Sequence, residues 1–187
     1  MKYCVVDLET MGTGGNTAIV AIGACMVDPD TTGRAGMNGQ FYRAVTLESS
    51  LKAGLKVTAS TINWWLAQSD AARQALLANN ASTLPDALVA FAEFYRLQGA
   101  DYLVGNDPSF DNAILADAYA AVGLRQPWKY HNNRCLRTFK GLVNGIDIPE
   151  VGVAFQGTEH NALHDAVHEA DELAAILAIL KEKGLTV

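Results

Sequence analysis

The chain has few of the features that would assign it quickly. Only three of its 187 residues are cysteine, Cys4, Cys25 and Cys135. That odd and widely spaced set fits reduced, mostly buried thiols and argues against a disulfide scaffold or a sulfur-based zinc cage. Charged side chains make up 18% of the residues, and basic ones are the scarcer, 14 Lys and Arg against 20 Asp and Glu, for a net charge of −6. Taken alone, this balance counts against a polyanionic ligand, because proteins that grip many phosphates carry a basic face. Long apolar runs are missing too. The longest, Ile19 to Val27, spans nine residues, well under the ~18 needed to cross a bilayer. Met1-Lys2-Tyr3 leads straight into a short apolar run ending at Asp7, with no small-residue cleavage site behind it. Neither a membrane helix nor a secretory signal is expected, and the expected compartment is the cytoplasm.

Apolar residues are plentiful, at 50% of the chain. A length within the usual ~100–200 residues per domain predicts one domain over residues 1–187 with a substantial core, and disorder is excluded. Three β-rich segments come first: Tyr3 to Glu9, Ala18 to Val27 and Gln40 to Thr46, with a turn at Asp28-Pro29-Asp30 and nearby glycines. From Ser60 the period becomes helical. Ser60 or Thr61 can cap a helix through Trp65, and Ser69-Asp70 one through Leu77. Thr83 and Pro85 open another, in which Leu84, Leu88, Phe91 and Tyr95 share a face. Tyr102 to Gly105 reads as a buried strand, followed by an alanine-rich helix over 109–122, an ambiguous segment over 126–133, and a short helix near 138–143. A long helix begins after His160 and stops at Lys183-Gly184. Strands first, then alternating helix and strand, predict an α/β fold with a mixed central sheet flanked by helices.

Four carboxylates and one histidine draw attention. Asp7 and Glu9 are two apart on the first strand, so both leave the same face. A buried pair of this kind needs a cation or strong donors, whereas at a strand end it is simply hydrated. The segment Thr10-Met11-Gly12-Thr13-Gly14-Gly15 lacks the Gly-Lys-Ser/Thr of a phosphate-binding Walker loop; it is either a tight turn or a substrate rim. Asp111 falls in the first turn of a helix, where the dipole alone favours an acid; a role in the site requires it to turn back toward Asp7. His160 and Asp165 are about 140° apart on a helix and share a site only if His160 lies before it or in a frayed first turn. His160, His164 and His168 recur every four residues, a spacing that can bind a transition metal, but no His-Glu-x-x-His pair or nearby cysteine supports zinc. A solvated polar stripe is the expectation for His164 and His168.

Val5-Val6-Asp7-Leu8-Glu9-Thr10, Phe110-Asp111 and His160-x-Ala-x-x-Asp165, in that order, resemble the three motifs of the DEDDh 3′–5′ exonucleases of the RNase H-like superfamily. The segment Thr61 to Ser69 with Ala72-Arg73, and Arg134-Cys135-Leu136-Arg137-Thr138, are similar to the exonuclease VIII branch, which includes phage exonucleases and RNase T-like enzymes. The resemblance spans nearly the whole chain and implies an RNase H-like fold, three antiparallel strands followed by parallel ones, in a phage or bacterial protein. It also leaves a homodimer open.

That resemblance assigns Asp7, Glu9, Asp111 and Asp165 to two Mg²⁺ or Mn²⁺ ions, and His160 as general base. Hard oxygen ligands independently suit these ions, and an ordinary histidine, with a pKa of ~6.5, is mostly neutral at the pH of the cytoplasm and competent as a base. The implied activity is release of nucleoside 5′-monophosphates from 3′ ends, with single-stranded DNA modestly preferred over RNA. An oligoribonuclease-like enzyme and a noncatalytic nucleic-acid-binding subunit are the alternatives. By analogy, Thr10, Met11 and Gly12 lie against the terminal nucleotide, and Phe110 offers a stacking face. Trp64 and Trp65 cannot both face inward; Trp65 is taken as a substrate contact. Five basic residues, Arg125, Lys129, Arg134, Arg137 and Lys140, fall in a stretch without Asp or Glu. That stretch is either a solvated surface or a phosphate track centred on Arg134 and Arg137.

Overall fold

A computed structural model describes residues 1–31, 39–76, 80–144 and 152–185. Strands β1 (Tyr3–Thr10), β2 (Ile19–Val27), β3 (Gln40–Ala44), β4 (Tyr102–Gly105) and β5 (Asn133–Cys135) form one sheet in the order β3-β2-β1-β4-β5. β1 pairs antiparallel with β2 and β2 with β3, while β4 lies parallel to both β1 and β5. The sheet is mixed, as expected. The ambiguous segment resolves into a short 3-10 turn, Tyr130–Asn132, running into β5. The turn after β2 is seen at Asp28, whose carboxylate accepts from the Asp30 amide; the glycines at positions 33 and 36 lie outside the described residues.

Alternation along β1 separates two cores. Cys4, Val6 and Leu8 face helices α4 (Leu84–Leu97) and α5 (Asp111–Ala121), packing with Leu88, Phe91, Leu115 and Tyr119. Tyr3 and Val5 face α6 (Leu136–Asn144) and α7 (Ala162–Glu182), with Phe139, Leu173 and Ile176. The same period of two places Asp7 and Glu9 on the α7 side. Burial of Cys4 and Cys25 pushes both thiols up, to about 12 for Cys25, so they remain protonated apolar packing groups.

Helix α4 starts as expected: the Thr83 hydroxyl accepts from the Asp86 amide, with proline in the first turn. Two starts differ. α2 (Ala59–Leu66) begins earlier than expected, at Thr58, whose hydroxyl bonds those of Ser60 and Thr61 rather than the backbone. α1 (Leu47–Lys52) was not foreseen; it has six residues, and Thr46 makes no side-chain cap. In α3 (Asp70–Leu76), Ser69 accepts from the Ala72 amide as expected, and the predicted end at Leu77 lies outside the described residues.

Two close approaches position the site. Gly23 pairs with Asp7 across the β1–β2 ladder, and a Cβ there would stand 2.0 Å from the Ala162 carbonyl oxygen. Only glycine lets the start of α7 rest on the sheet beside Asp7. At the end of β4, a Cβ on Gly105 would come within 2.5 Å of the Asn112 side chain and 3.2 Å of the Asp111 Cβ. α5 therefore begins directly against the sheet.

Candidate active site

The ends of β1 and the starts of α5 and α7 converge on one cleft of about 470 Å³, lined among others by Asp7, Glu9, Trp64, Phe110, His160 and Asp165. That volume suits a nucleotide-sized ligand. Oxygens of Asp7, Glu9 and Asp165 all lie within 4.8 Å of one another. Asp111 turns back toward β1, where its Oδ1 accepts from the Leu8 amide at 3.3 Å. That contact sets it against β1 beside Asp7, although it is not among the residues lining the cleft or the three with close oxygens.

The electrostatics follow from burial and crowding. Desolvation, then repulsion from Asp111, Glu169, Glu9 and Asp165, holds the Asp7 carboxyl well above the usual range. Glu9 is pushed up to about 8 by burial and by Asp165 and Asp111. Burial raises Asp111 against the opposing Leu8 amide bond, and raises Asp165 against the opposing pull of His160. So many buried carboxylates are costly unless a cation joins them, because the basic groups acting on them, among them His160 on Asp165 and Arg137 on Asp111, do not outweigh their burial. The donor set consists entirely of hard oxygens, which fits Mg²⁺ or Mn²⁺.

His160 adopts the left-handed region at φ 62°, just ahead of α7. Asn161 caps the helix by accepting from the amides of Leu163 and His164. This break before the helix lets His160 and Asp165 face one cleft despite their spacing. Both tryptophans line the cleft, against the expectation that only one would, and they do so at different depths. Trp65 is 5% exposed, and its Nε1 donates to the Thr10 carbonyl at 2.9 Å. Trp64 is 43% exposed and stands edge-on to the His160 ring, centroids 4.8 Å apart.

Several expectations need correction. Met11 packs against the apolar core and does not line the cleft, whereas Thr10, Gly12 and Phe110 do. Its turn is pinned from both sides, the Met11 amide donating to Ala18 and the Thr58 amide to the Met11 carbonyl. Arg134 is not brought to the cleft: its guanidinium lies over the Tyr102 ring at 3.9 Å, at the start of β4, while the site lies beyond that strand's end. Arg137 does not line the cleft either; it pairs with Asp107 at 3.4 Å, in the turn between β4 and α5. Lys140 is engaged by Glu172 at 2.7 Å, so the basic stretch is divided rather than a continuous track. His164 and His168 are not a solvated stripe. His164 Nδ1 accepts from the Thr158 amide, and His168 packs on Phe155 near Glu172. Glu169, one turn after Asp165, is buried beside the carboxylates and was missed. Its spacing of four from Asp165 was the available signal.

A model of the family described as the 3′–5′ exoribonuclease Rv2179c-like domain matches residues 2–177. The chain belongs to that family and is a 3′–5′ exonuclease with an RNase H-like fold. Among curated relatives, the exodeoxyribonuclease of Enterobacteria phage T4 is 24% identical over 188 residues, covering 88% of this chain and 82% of that protein. Among solved structures, the nuclease domain of 3′hExo, a DEDDh family member bound to rAMP, is similar with a TM-score of 0.61. The likeness covers 98% of this chain and 92% of that one at 14% identity. Cell-death related nuclease 4 (CRN-4) is similar with a TM-score of 0.59 at 13% identity, over 98% of this chain and 64% of that one. Among the described residues, no helix is long and apolar enough to cross a membrane.

Proposed function

We propose that residues 1–187 act as one metal-dependent exonuclease domain that removes nucleoside 5′-monophosphates from single-stranded 3′ ends. The observation carrying this reading is the convergence of Asp7, Glu9 and Asp165 within 4.8 Å, with Asp111 turned toward the same strand and His160 on the same cleft. Asp7, Glu9 and Asp165 would hold one divalent ion, and Asp7 with Asp111 a second. Bound Mg²⁺ or Mn²⁺ supplies Lewis-acid stabilisation to the attacking and leaving oxygens of an in-line displacement.

The chain's own residues do the rest. His160 takes the proton of the attacking water as the water's oxygen forms a bond to phosphorus and the bond to the 3′-oxygen breaks. Trp64 and Trp65 hold the imidazole over the cleft. The Trp65 bond to Thr10 fixes the rim against which the terminal nucleotide rests, and Phe110 provides an apolar face for a base.

RNA is the proposed substrate class, supported by the family's description as exoribonuclease. The DNA preference expected from sequence has support in the phage relative, an exodeoxyribonuclease. Matched single-stranded RNA and DNA oligonucleotides of graded length, digested with Mg²⁺ or Mn²⁺, separate the two. Faster release from RNA supports the proposal, faster release from DNA replaces its substrate class, and activity confined to the shortest oligomers makes the enzyme oligoribonuclease-like.

A further inference from the structure

The carboxylates form a larger group than the four motif positions. Glu169 lies on α7 four residues beyond Asp165, on the helix face turned to the sheet. It is 7% exposed, and among the described residues nothing donates a hydrogen bond to its buried Oε2. Its charged neighbours are Asp111, Lys140, Glu172 and Asp165, and it acts in turn on Asp7. The only cation among these, Lys140, is paired with Glu172. A carboxylate so enclosed, facing other carboxylates, demands an external donor.

The oxygens of Asp7, Glu9 and Asp165 form the tight group, and Glu169 faces these carboxylates from the next turn of α7, close enough to act on Asp7 and to feel Asp111 and Asp165. Mg²⁺ retains several of its waters when held by a few carboxylates, and outer carboxylates that accept from such ligands tune affinity. We propose that Glu169 is a positioning residue for a divalent cation held by the neighbouring carboxylates, accepting a hydrogen bond from a water that the cation carries. This inference rests on the metal-dependent reading of the site.

The test titrates Mn²⁺ into metal-stripped wild type, Asp165→Asn, Glu169→Gln and Glu169→Asp, followed by calorimetry and by the Mn²⁺-induced rise in Tm. Wild type is expected to bind, and Asp165→Asn to lose most of the binding. Glu169→Gln should weaken affinity about tenfold while keeping a metal-free Tm at or above that of wild type. Glu169→Asp, which keeps the charge, should fall between. In activity, Glu169→Gln should raise the Mg²⁺ concentration needed for half-maximal rate more than it lowers the saturated rate. If Asp165→Asn loses Mn²⁺ while both Glu169 variants bind as wild type, the role of Glu169 is overturned and the site reading stands. Should wild type bind no Mn²⁺, both fall together.

Discussion

Trp64 and His160 meet edge to face across the cleft, ring centroids 4.8 Å apart and planes at 74°. His160 holds a left-handed backbone, a conformation that costs a non-glycine residue about 1 kcal/mol or more and persists only under outside restraint. Trp64 provides a restraint on the ring while remaining 43% exposed on the cleft wall. His160→Ala is expected to reduce the rate by about 10²–10⁴-fold, the range for loss of a general base. Trp64→Ala should lower it by roughly tenfold through misplacement of the imidazole, with a stability cost of about 1–2 kcal/mol from the lost aromatic contacts. Rate and denaturation measurements on both variants check this; a Trp64→Ala enzyme with unchanged turnover would remove the restraint.

The metal-free protein should become less stable as pH rises. Folded Glu9 and Glu169 titrate at about 8, against ordinary values of 4.5, and Asp7, Asp111 and Asp165 are raised as well. The folded state therefore binds more protons than the unfolded one. The resulting stabilisation is complete below about pH 4 and is lost as pH climbs through about 8. Thermal melts in EDTA should show Tm falling between about pH 5 and about pH 8.5, with Mn²⁺ adding most at the upper end. A flat Tm profile would contradict the crowding of these groups.

Asp7→Asn separates stability from function. Asp7 is repelled by four neighbouring carboxylates, so neutralising it should raise the metal-free Tm near pH 8 while cutting the rate by about two to three orders of magnitude or more. A fall in both would point to a purely structural role for Asp7.

Much of this site was legible because it depends on local periodicity. The spacing of Asp7 and Glu9 set their common face, and Thr83 with Pro85 marked the start of α4. Glu169 was only partly legible: its spacing of four puts it on the Asp165 face of the helix, but the packing of α7 on β1 and β2 is what turns that face inward. Gly23 likewise reads as a break in an apolar run until Ala162 is seen against it. Arg134 and Arg137 lie close in sequence, yet the strand-to-helix change at Leu136 sends them to different ends of β4.

Gly23→Ala tests the packing that delivers α7. Its Cβ would meet backbone atoms of Ala162 at 2.0 and 2.1 Å, which cannot move aside as a flexible side chain would. The expected cost is about 3 kcal/mol or more, with loss of cation binding as His160 and Asp165 are displaced. Chemical denaturation and Mn²⁺ titration read the two effects, and a variant of wild-type stability would refute the close approach.

The basic stretch is tested by salt dependence. Arg137 is exposed beside Asp107, in the turn leading to α5 and Phe110, so Arg137→Ala should weaken single-strand binding and reduce the slope of log affinity against log salt by roughly 0.7. Arg134→Ala, turned onto Tyr102, should leave that slope unchanged. Equal effects from both would restore a continuous track.

The most direct test of the account digests a 5′-labelled single-stranded oligonucleotide in Mg²⁺, with its 3′ end either free or blocked, and identifies the released product. A ladder shortening from the free 3′ end, nucleoside 5′-monophosphates as product, protection by the block and loss of activity in Asp7→Asn are predicted. Release of mononucleotides from the blocked strand at the same rate, or undiminished activity in EDTA, would contradict it.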